Sequence, residues 1–289
     1  MVAAQADALT PTDTVRHRLQ VDGTEVSVTQ DPYSDRVRCD HPSPDVDAVA
    51  LGETLKSFAD EQGLSRVVVL TPADAAEGLM HTGFQCEATM PGFYSGENDC
   101  AVLGLALDDD RADLANPTEV ARVQQLLDET RPASVRVRHE TTLASVDDAP
   151  RIAQLLGETF AEYPTPSDDP AYVAKQIEDG TPFRFVEQGG DVVACASADL
   201  VTTAETAELT DCATRPKARG QGLMQSLLLD LMEDLRKLAY PTAFTLARAR
   251  EAGMNIAFQR LGFVHRGTMV QSCRIGNGIE DMNVWSRAL

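Results

Sequence analysis

The chain's 289 residues are enough for two domains of ordinary size, and its 43% hydrophobic content supports a packed core and argues against global disorder. A formal net charge of −20 argues against a nucleic-acid partner, because a phosphate backbone needs a basic footprint. No apolar run approaches the ~20 residues that span a bilayer. The acidic opening segment, residues 1–13, lacks the basic and apolar regions of a secretory leader. A cytoplasmic protein with no membrane partner is therefore expected. Cys39, Cys86, Cys100, Cys195, Cys212 and Cys273 form no Cys-x-x-Cys pair, and the histidines are equally dispersed, so no metal is expected. Only four of the 25 basic residues are lysine, and this acidic, lysine-poor balance suits a protein kept soluble in high salt, or simply an acidic cytosolic enzyme. A negative field also attracts a small cationic amine.

Residues 15–40 alternate in short segments broken at Asp22-Gly23 and Asp31-Pro32, which predicts strands joined by tight turns. Val46, Val49, Leu51, Leu55 and Phe58 make a helical stripe that ends near Gly63. The β-branched run Arg66–Leu70 reads as a buried strand, residues 73–82 as a helix, and Phe84–Met90 as a strand. Pro91–Asp99 is expected to be a loop, and Cys100–Leu107 the last strand of this half. Asp108–Arg131 reads as a polar linker leading into a helix closed by Pro132, where the domain boundary is expected. The division is therefore an N-terminal α/β domain at 14–110, a linker and helix at 111–133, and a second domain at 134–289.

The second half begins with an expected strand at Ser134–Thr142 and a helix from Ser145 or Val146 that buries Ile152, Leu155, Leu156 and Phe160. A stiff loop, Tyr163–Pro170, precedes a helix at Ala171–Glu178. Phe183–Glu187 and Asp191–Leu200 form a hairpin about Gly189-Gly190. Glu205–Thr214 is a central strand, Gly220–Leu238 a glycine loop and apolar helix, Ala243–Ala249 a strand, and Gly253–Arg260 a short helix. Met282–Arg287 is expected to close the sheet. The fold class is α/β with a mixed sheet.

The segment Glu208–Met224 carries the chemistry. Gly220 and Gly222 let the backbone approach a ligand closely. With Arg219 beside the opening amides of a helix, they suit a phosphate or pyrophosphate. No Gly-Lys-Ser/Thr follows, so this is not a nucleotide P-loop. It resembles the acyl-CoA pyrophosphate loop of the GNAT N-acetyltransferases, Arg/Gln-x-x-Gly-x-Gly/Ala, at Arg219, Gly222 and Met224, the last departing from the small residue of the pattern. Leu261-Gly262-Phe263 resembles the closing Gly-Phe element of that family, and Glu208 lies four residues before Cys212-Ala213-Thr214, where one branch places its catalytic glutamate. Beyond the superfamily, the chain looks like the β-lysine N-acetyltransferases of osmolyte synthesis. That likeness rests on Pro91–Asp99, Tyr163-Pro164, Glu208–Asp211, Ala247–Ala249, Gly253–Asn255, Gly267-Thr268 and Met282–Trp285.

The resemblance implies a GNAT fold at 134–289, with the first half a smaller α/β lobe that is a lid, a dimer interface or a degenerate copy of the same layout. It implies acetyl transfer from acetyl-CoA to the side-chain amine of β-lysine, giving Nε-acetyl-β-lysine. An alkylammonium with pKa ~10.4 is almost fully protonated at neutral pH, so a carboxylate base is the first need. Glu208 is the first candidate and Asp211 the second. On a regular strand they occupy opposite faces unless a bulge intervenes. Main-chain amides of Cys212, Ala213 and Thr214 are expected to pair with the pantetheine arm and polarise the thioester. Arg219, Gly220, Gln221, Gly222, Leu223 and Met224 are expected around the diphosphate. Asn255 is a cofactor contact or a helix N-cap. Phe258 occupies the position where many relatives carry an acidic tyrosine. Tyr163 is expected to position substrate, Arg248 to meet its carboxylate or a surface acid, and Trp285 to sit in the core. Acetylation of another diamine, amino acid or protein lysine, and non-catalytic sensing of acyl-CoA, are the rival readings. A homodimer is left open.

Overall fold

A computed structural model describes residues 9–130, 138–276 and 278–289. Among the described residues the strands form one 13-stranded sheet, in the order β1-β2-β3-β4-β6-β5-β12-β13-β11-β10-β9-β8-β7. The first half supplies β1 (Val15–Val21), β2 (Thr24–Asp31), β3 (Arg36–Asp40), β4 (Arg66–Pro72), β5 (Gln85–Tyr94) and β6 (Asn98–Ala106). Helix α1 (Ala48–Glu61) connects β3 to β4, which run parallel, and α2 (Ala76–Met80) follows β4. The Asp47 carboxylate caps α1 by accepting from the Ala50 amide at 2.8 Å. Leu51, Leu55 and Ala59 of α1 pack on Val37, Cys39, Val67 and Val69, the alternate residues of β3 and β4 on that face.

Helix α3 (Pro117–Glu129) leads to the second half, which contains β7 (Thr142–Leu143), α4 (Ala149–Thr159), α5 (Pro170–Glu178), β8 (Phe183–Gln188) and β9 (Asp191–Val201). It continues with β10 (Thr206–Thr214), α6 (Leu223–Lys237), β11 (Thr242–Arg248), α7 (Ala252–Arg260), β12 (Val264–Arg274) and β13 (Ile279–Ala288). The strand expected at Ser134–Thr142 falls partly outside the described residues, as does the boundary at Pro132. Its described end contributes only β7. Among the described residues no helix is long and apolar enough to cross a membrane.

Two expectations change and one strand is added. The Pro91–Asp99 loop shrinks to a tight turn, because β5 runs on through Phe93 to Tyr94 and pairs with Asn98. Strand β12 lies in a stretch where polar residues interrupt the alternation and two register shifts occur. The segment expected to close the sheet is instead central: β13 lies between β11 and β12.

The halves join where β5 meets β12, at the pair Ala88–Gly267. A Cβ on Gly267 would overlap the Glu87 carbonyl oxygen, so only glycine permits this approach. Arg66 and Glu87 form a buried ion pair beside the joint, and Glu87 also accepts the Val270 amide at 3.2 Å. Arg36 donates to the Ser272 carbonyl at 2.6 Å and Arg111 to that of Gln271 at 2.8 Å. An apolar core drawn from both halves covers this face, with Leu70, Met90, Phe93 and Val102 packed among Phe244, Met269, Met282 and Val284. The Ser95 amide, at the β5–β6 turn, donates to the Ala204 carbonyl of the β9–β10 turn at 2.7 Å. The sheet therefore curls until two distant hairpin tips touch.

Candidate active site

Strands β10 and β11 run parallel but pair only from Thr206–Thr242 to Glu208–Phe244. Beyond that point they diverge, and the Thr245 hydroxyl bridges the start of the gap by donating to the Leu209 carbonyl at 2.7 Å. A cleft of about 500 Å³ opens there, between Thr210, Asp211, Cys212 and Thr214 on one wall and Leu246 and Arg248 on the other. Its floor is the turn before α6, with Arg219, Gly220, Gly222, Leu223 and Met224.

Gly220 and Gly222 have φ of 77° and 82°, a left-handed conformation that favours glycine. A Cβ on Gly220 would meet nothing within 4 Å, so the space above the turn is open. Gly222 is the N-cap of α6 and offers no side-chain acceptor, which leaves the first-turn amides available to an anion. The Arg219 guanidinium is steadied by donating to the Thr214 carbonyl at 3.1 Å. These groups suit a diphosphate, and the walls above them are apolar enough for a pantetheine-like arm.

A bulge in β10 decides where the carboxylates point. Thr210 pairs with Ser197 and Ala213 with Cys195, so β10 has one extra residue, and Asp211 there has φ of 48°. The parity of the strand flips across it. Ala207 and Leu209 pack against α6, whereas Ala213 packs with α4. Asp211 thereby reaches the Ser197 hydroxyl, which donates to it at 2.7 Å. Ser197 and Asp199 lie on the same face of β9, opposite Thr210 and Glu208. The bulge therefore gathers Glu208, Asp211 and Asp199 on one face, where a regular strand would have separated the first two.

This grouping shifts their ionisation. Burial, opposed by Arg38 and reinforced by Asp211 and Asp40, pushes Glu208 from its ordinary value up to about 7. Burial raises Asp211 as well, restrained by hydrogen bonds from Ser197 and Tyr163. Asp199 is raised well above the usual range by burial and then by Asp211 and Glu208. Asp199 was not legible as a site residue, because only the pairing of β9 with β10 brings it there. The Cys212 thiol is also raised, by burial first and then by both carboxylates, so it stays protonated at neutral pH and is a poor nucleophile.

The other sequence candidates divide. Tyr163 lies against β10 with its hydroxyl 3.4 Å from that of Thr210, and burial lifts its pKa well above the ordinary value. Phe258 is buried, lines the cleft and stacks edge-on against Phe263 at 5.3 Å. Arg248 lines the same cleft. Gln221 is turned away, within 3.2 Å of Gln188. Ala213 is not brought to the cleft: its side chain is in the α4 core and its backbone pairs with Cys195 of β9, which corrects the expectation of a cofactor contact there. Asn255 is not brought to the cleft at all. Its amide nitrogen donates to the Arg248 and Glu251 carbonyls, and its oxygen accepts from Asn283 and from the buried Trp285. Every polar group of that side chain is occupied by structure, which corrects the expectation of a cofactor contact.

Glu208 does not line the cleft of the glycine turn. It faces a second cavity, of about 560 Å³, whose opposite wall is Arg36, Arg38, Asp40 and His41 of the first half. Leu246 lines both spaces, so they abut.

Comparison with known proteins agrees with this architecture. Residues 149–263 match the acetyltransferase (GNAT) family. The chain is 30% identical over 259 residues to a β-lysine N(6)-acetyltransferase of Methanosarcina mazei, covering 81% of this chain and 95% of the relative. It is 28% identical over 237 residues to the N-acetyltransferase YodP of Bacillus subtilis, covering 80% of this chain and 85% of that protein. A β-lysine N(6)-acetyltransferase of Methanococcus maripaludis is 26% identical over 247 residues, with coverages of 81% and 88%. The chain belongs to the GNAT acetyltransferase family and is an acetyl-CoA-dependent N-acetyltransferase.

Proposed function

We propose that the enzyme transfers the acetyl group of acetyl-CoA to the side-chain amine of β-lysine by direct attack. The observation that carries this reading is Glu208, a carboxylate with a pKa of about 7 in a cavity that abuts the cofactor cleft. Acetyl-CoA supplies a thioester whose diphosphate would rest on the amides of Gly222, Leu223 and Met224, with Arg219 beside it. An ammonium entering the second cavity meets Glu208 in its ionised form and gives its proton to that carboxylate. The free amine then attacks the thioester carbonyl, whose developing oxyanion is met by the backbone amides of Cys212 and Thr214. The C–S bond breaks and the thiolate leaves; the second proton, shed by the attacking nitrogen as the amide forms, is relayed to that thiolate through water or the hydroxyl of Tyr163, the only tyrosine lining the cleft among the described residues. The protonated Cys212 thiol argues against an acetyl-cysteine intermediate.

The product, Nε-acetyl-β-lysine, has lost one positive charge and is a net-neutral zwitterion, suited to accumulation as a compatible solute. The lysine-poor, acidic composition agrees with a high-salt setting. Thiol-release kinetics with acetyl-CoA and β-lysine, α-lysine or ornithine test the reading. β-Lysine is expected to give a kcat/KM at least roughly tenfold above the others, since a misplaced amino group leaves buried polar groups unpaired. Equal turnover of α-lysine would remove β-lysine as the preferred acceptor.

A further inference from the structure

The second cavity is built by residues far apart in sequence, and its far wall is ionic. Arg36, Arg38 and Asp40 alternate along β3 and face the cavity, while Val37 and Cys39 between them face the core under α1. Arg36 is buried, whereas the Arg38 and Asp40 side chains are each one third exposed, so these two remain open to the space of the cavity. Arg36 is fully engaged, by Asp31 at 2.8 Å and by the Ser272 carbonyl at 2.6 Å. Arg38 is not. Its ion-pair partner among the described residues is Asp40, at 3.0 Å through one terminal nitrogen, and its Nε is buried without any acceptor. His41 continues the wall, its Nδ1 3.1 Å from the Tyr94 hydroxyl. The cavity therefore presents an adjacent cation and anion on the first half, facing the Glu208 carboxylate on the second.

We infer that Arg38 and Asp40 form the site for the amino-acid head of the acceptor, with Arg38 binding its carboxylate and Asp40 its backbone ammonium. This rests on the proposed acetyl transfer and assigns the N-terminal half a role in choosing the acceptor. The head group of a β-amino acid carries a carboxylate and an ammonium side by side, and the Arg38–Asp40 pair offers the opposite charges in the same arrangement. The distal amine then extends toward Glu208 and the joint with the cofactor cleft at Leu246. The chemical class selected is a zwitterionic ω-amino acid rather than a simple diamine.

The test compares two acceptors on the full-length enzyme, β-lysine and the carboxylate-free 1,5-diaminopentane, in wild type and in Arg38→Ala, Arg38→Lys and Asp40→Asn. In Arg38→Ala the ratio of kcat/KM for β-lysine to that for the diamine is expected to fall roughly ten- to a hundredfold, the usual range for losing a charge-assisted hydrogen bond. The change should lie in KM for β-lysine, and Arg38→Lys should recover part of it. The ratio matters because Arg38 also lowers the pKa of Glu208, and that effect falls on both acceptors alike. A ratio unchanged in Arg38→Ala would overturn the inference, as would a wild type that prefers the diamine. Both outcomes leave acetyl transfer itself standing. If wild type acetylated neither compound, the functional reading would fail instead. Calorimetric titration of β-lysine into wild type and Arg38→Ala would then decide the site separately: binding lost in the variant supports it, and equal or absent binding in both rules it out.

Discussion

The two cavities on either side of Leu246 are built by opposite strategies. The cleft of the glycine turn comes from one half, largely from the continuous segment 209–225 and the facing strand β11, and the groups it offers are mainly backbone: glycines, amides and a helix N-terminus. The second cavity draws β1, β3, β4, β5 and β6 from one half and β9, β10, β11 and β12 from the other, and its polar lining is largely charged side chains. On the proposed function, a cofactor common to many enzymes would be met by generic peptide groups, and the particular acceptor by side chains drawn together from both halves. The sheet continuous across both halves holds the second wall at a fixed distance from the first.

The sharpest way to break this comparison is at Glu208, the carboxylate of the second cavity. Glu208→Gln keeps the shape and removes the base, and kcat/KM is expected to fall about 10²- to 10³-fold at pH 7 with acetyl-CoA binding retained. In the wild type, kcat/KM for the amine should rise with pH through about 7 as Glu208 ionises, and that rise should vanish in the variant. Stability should respond in the opposite sense. A carboxyl whose folded pKa is lifted from 4.5 to about 7 favours the fold in its protonated form, so that advantage is lost as pH rises between those values. Glu208→Gln, neutral throughout, should therefore unfold at higher urea than wild type above pH 7 and at similar urea near pH 4. A variant that was both active and no more stable would show that Glu208 is an ordinary solvated carboxylate.

How much of this was legible in the sequence follows the same divide. The cleft could be read because Glu208, Cys212–Thr214 and the glycine turn lie within seventeen consecutive residues, and a turn with obligate left-handed glycines leaves a local imprint. The bulge could be anticipated only as a condition on Asp211; its strand alternation alone assigns the wrong face. The second cavity was not legible, since Arg38 and Asp40 read only as polar positions in a run of short strands, and only the long-range strand order through β4, β6 and β5 to β12 carries them opposite Glu208. Asn255 shows the converse: its place near the family's cofactor strings suggested a ligand, but two partners some thirty residues on, Asn283 and Trp285, occupy its amide oxygen. Strand β12 escaped because His265, Arg266, Thr268, Gln271 and Ser272 interrupt its apolar pattern, and several of these serve the joint between the halves rather than solvent.

The joint is the next place to press. Gly267→Ala places a methyl group on the Glu87 carbonyl, a backbone atom that cannot swing aside, at φ of 148°. Strain and overpacking of this kind cost about 2–3 kcal/mol, which chemical denaturation would read directly. KM for β-lysine should rise more than KM for acetyl-CoA, because the displaced half contributes a wall to one cavity only. An equal rise in both would mean that the cofactor cleft depends on the N-terminal half as well.

The smallest expected effect bears on whether the two cavities are thermodynamically separate. Gly222→Ala adds a Cβ whose nearest neighbour is the Gln225 amide oxygen at 3.9 Å, so nothing is crowded and the whole cost is the left-handed backbone at φ of 82°. That strain is about 1–2 kcal/mol in an L-residue, and relaxing it would rotate the first-turn amides of α6 away from the diphosphate. KM for acetyl-CoA is expected to rise roughly tenfold, with KM for β-lysine at saturating cofactor nearly unmoved. Gly222 lines only the first space and Glu208 only the second, with Leu246 the shared residue, so the perturbation does not touch the second cavity's wall directly. If KM for the amine rose in parallel, the cofactor would have to order the acceptor cavity when it binds. Binding would then be sequential, with acetyl-CoA completing the second site before the amine can enter.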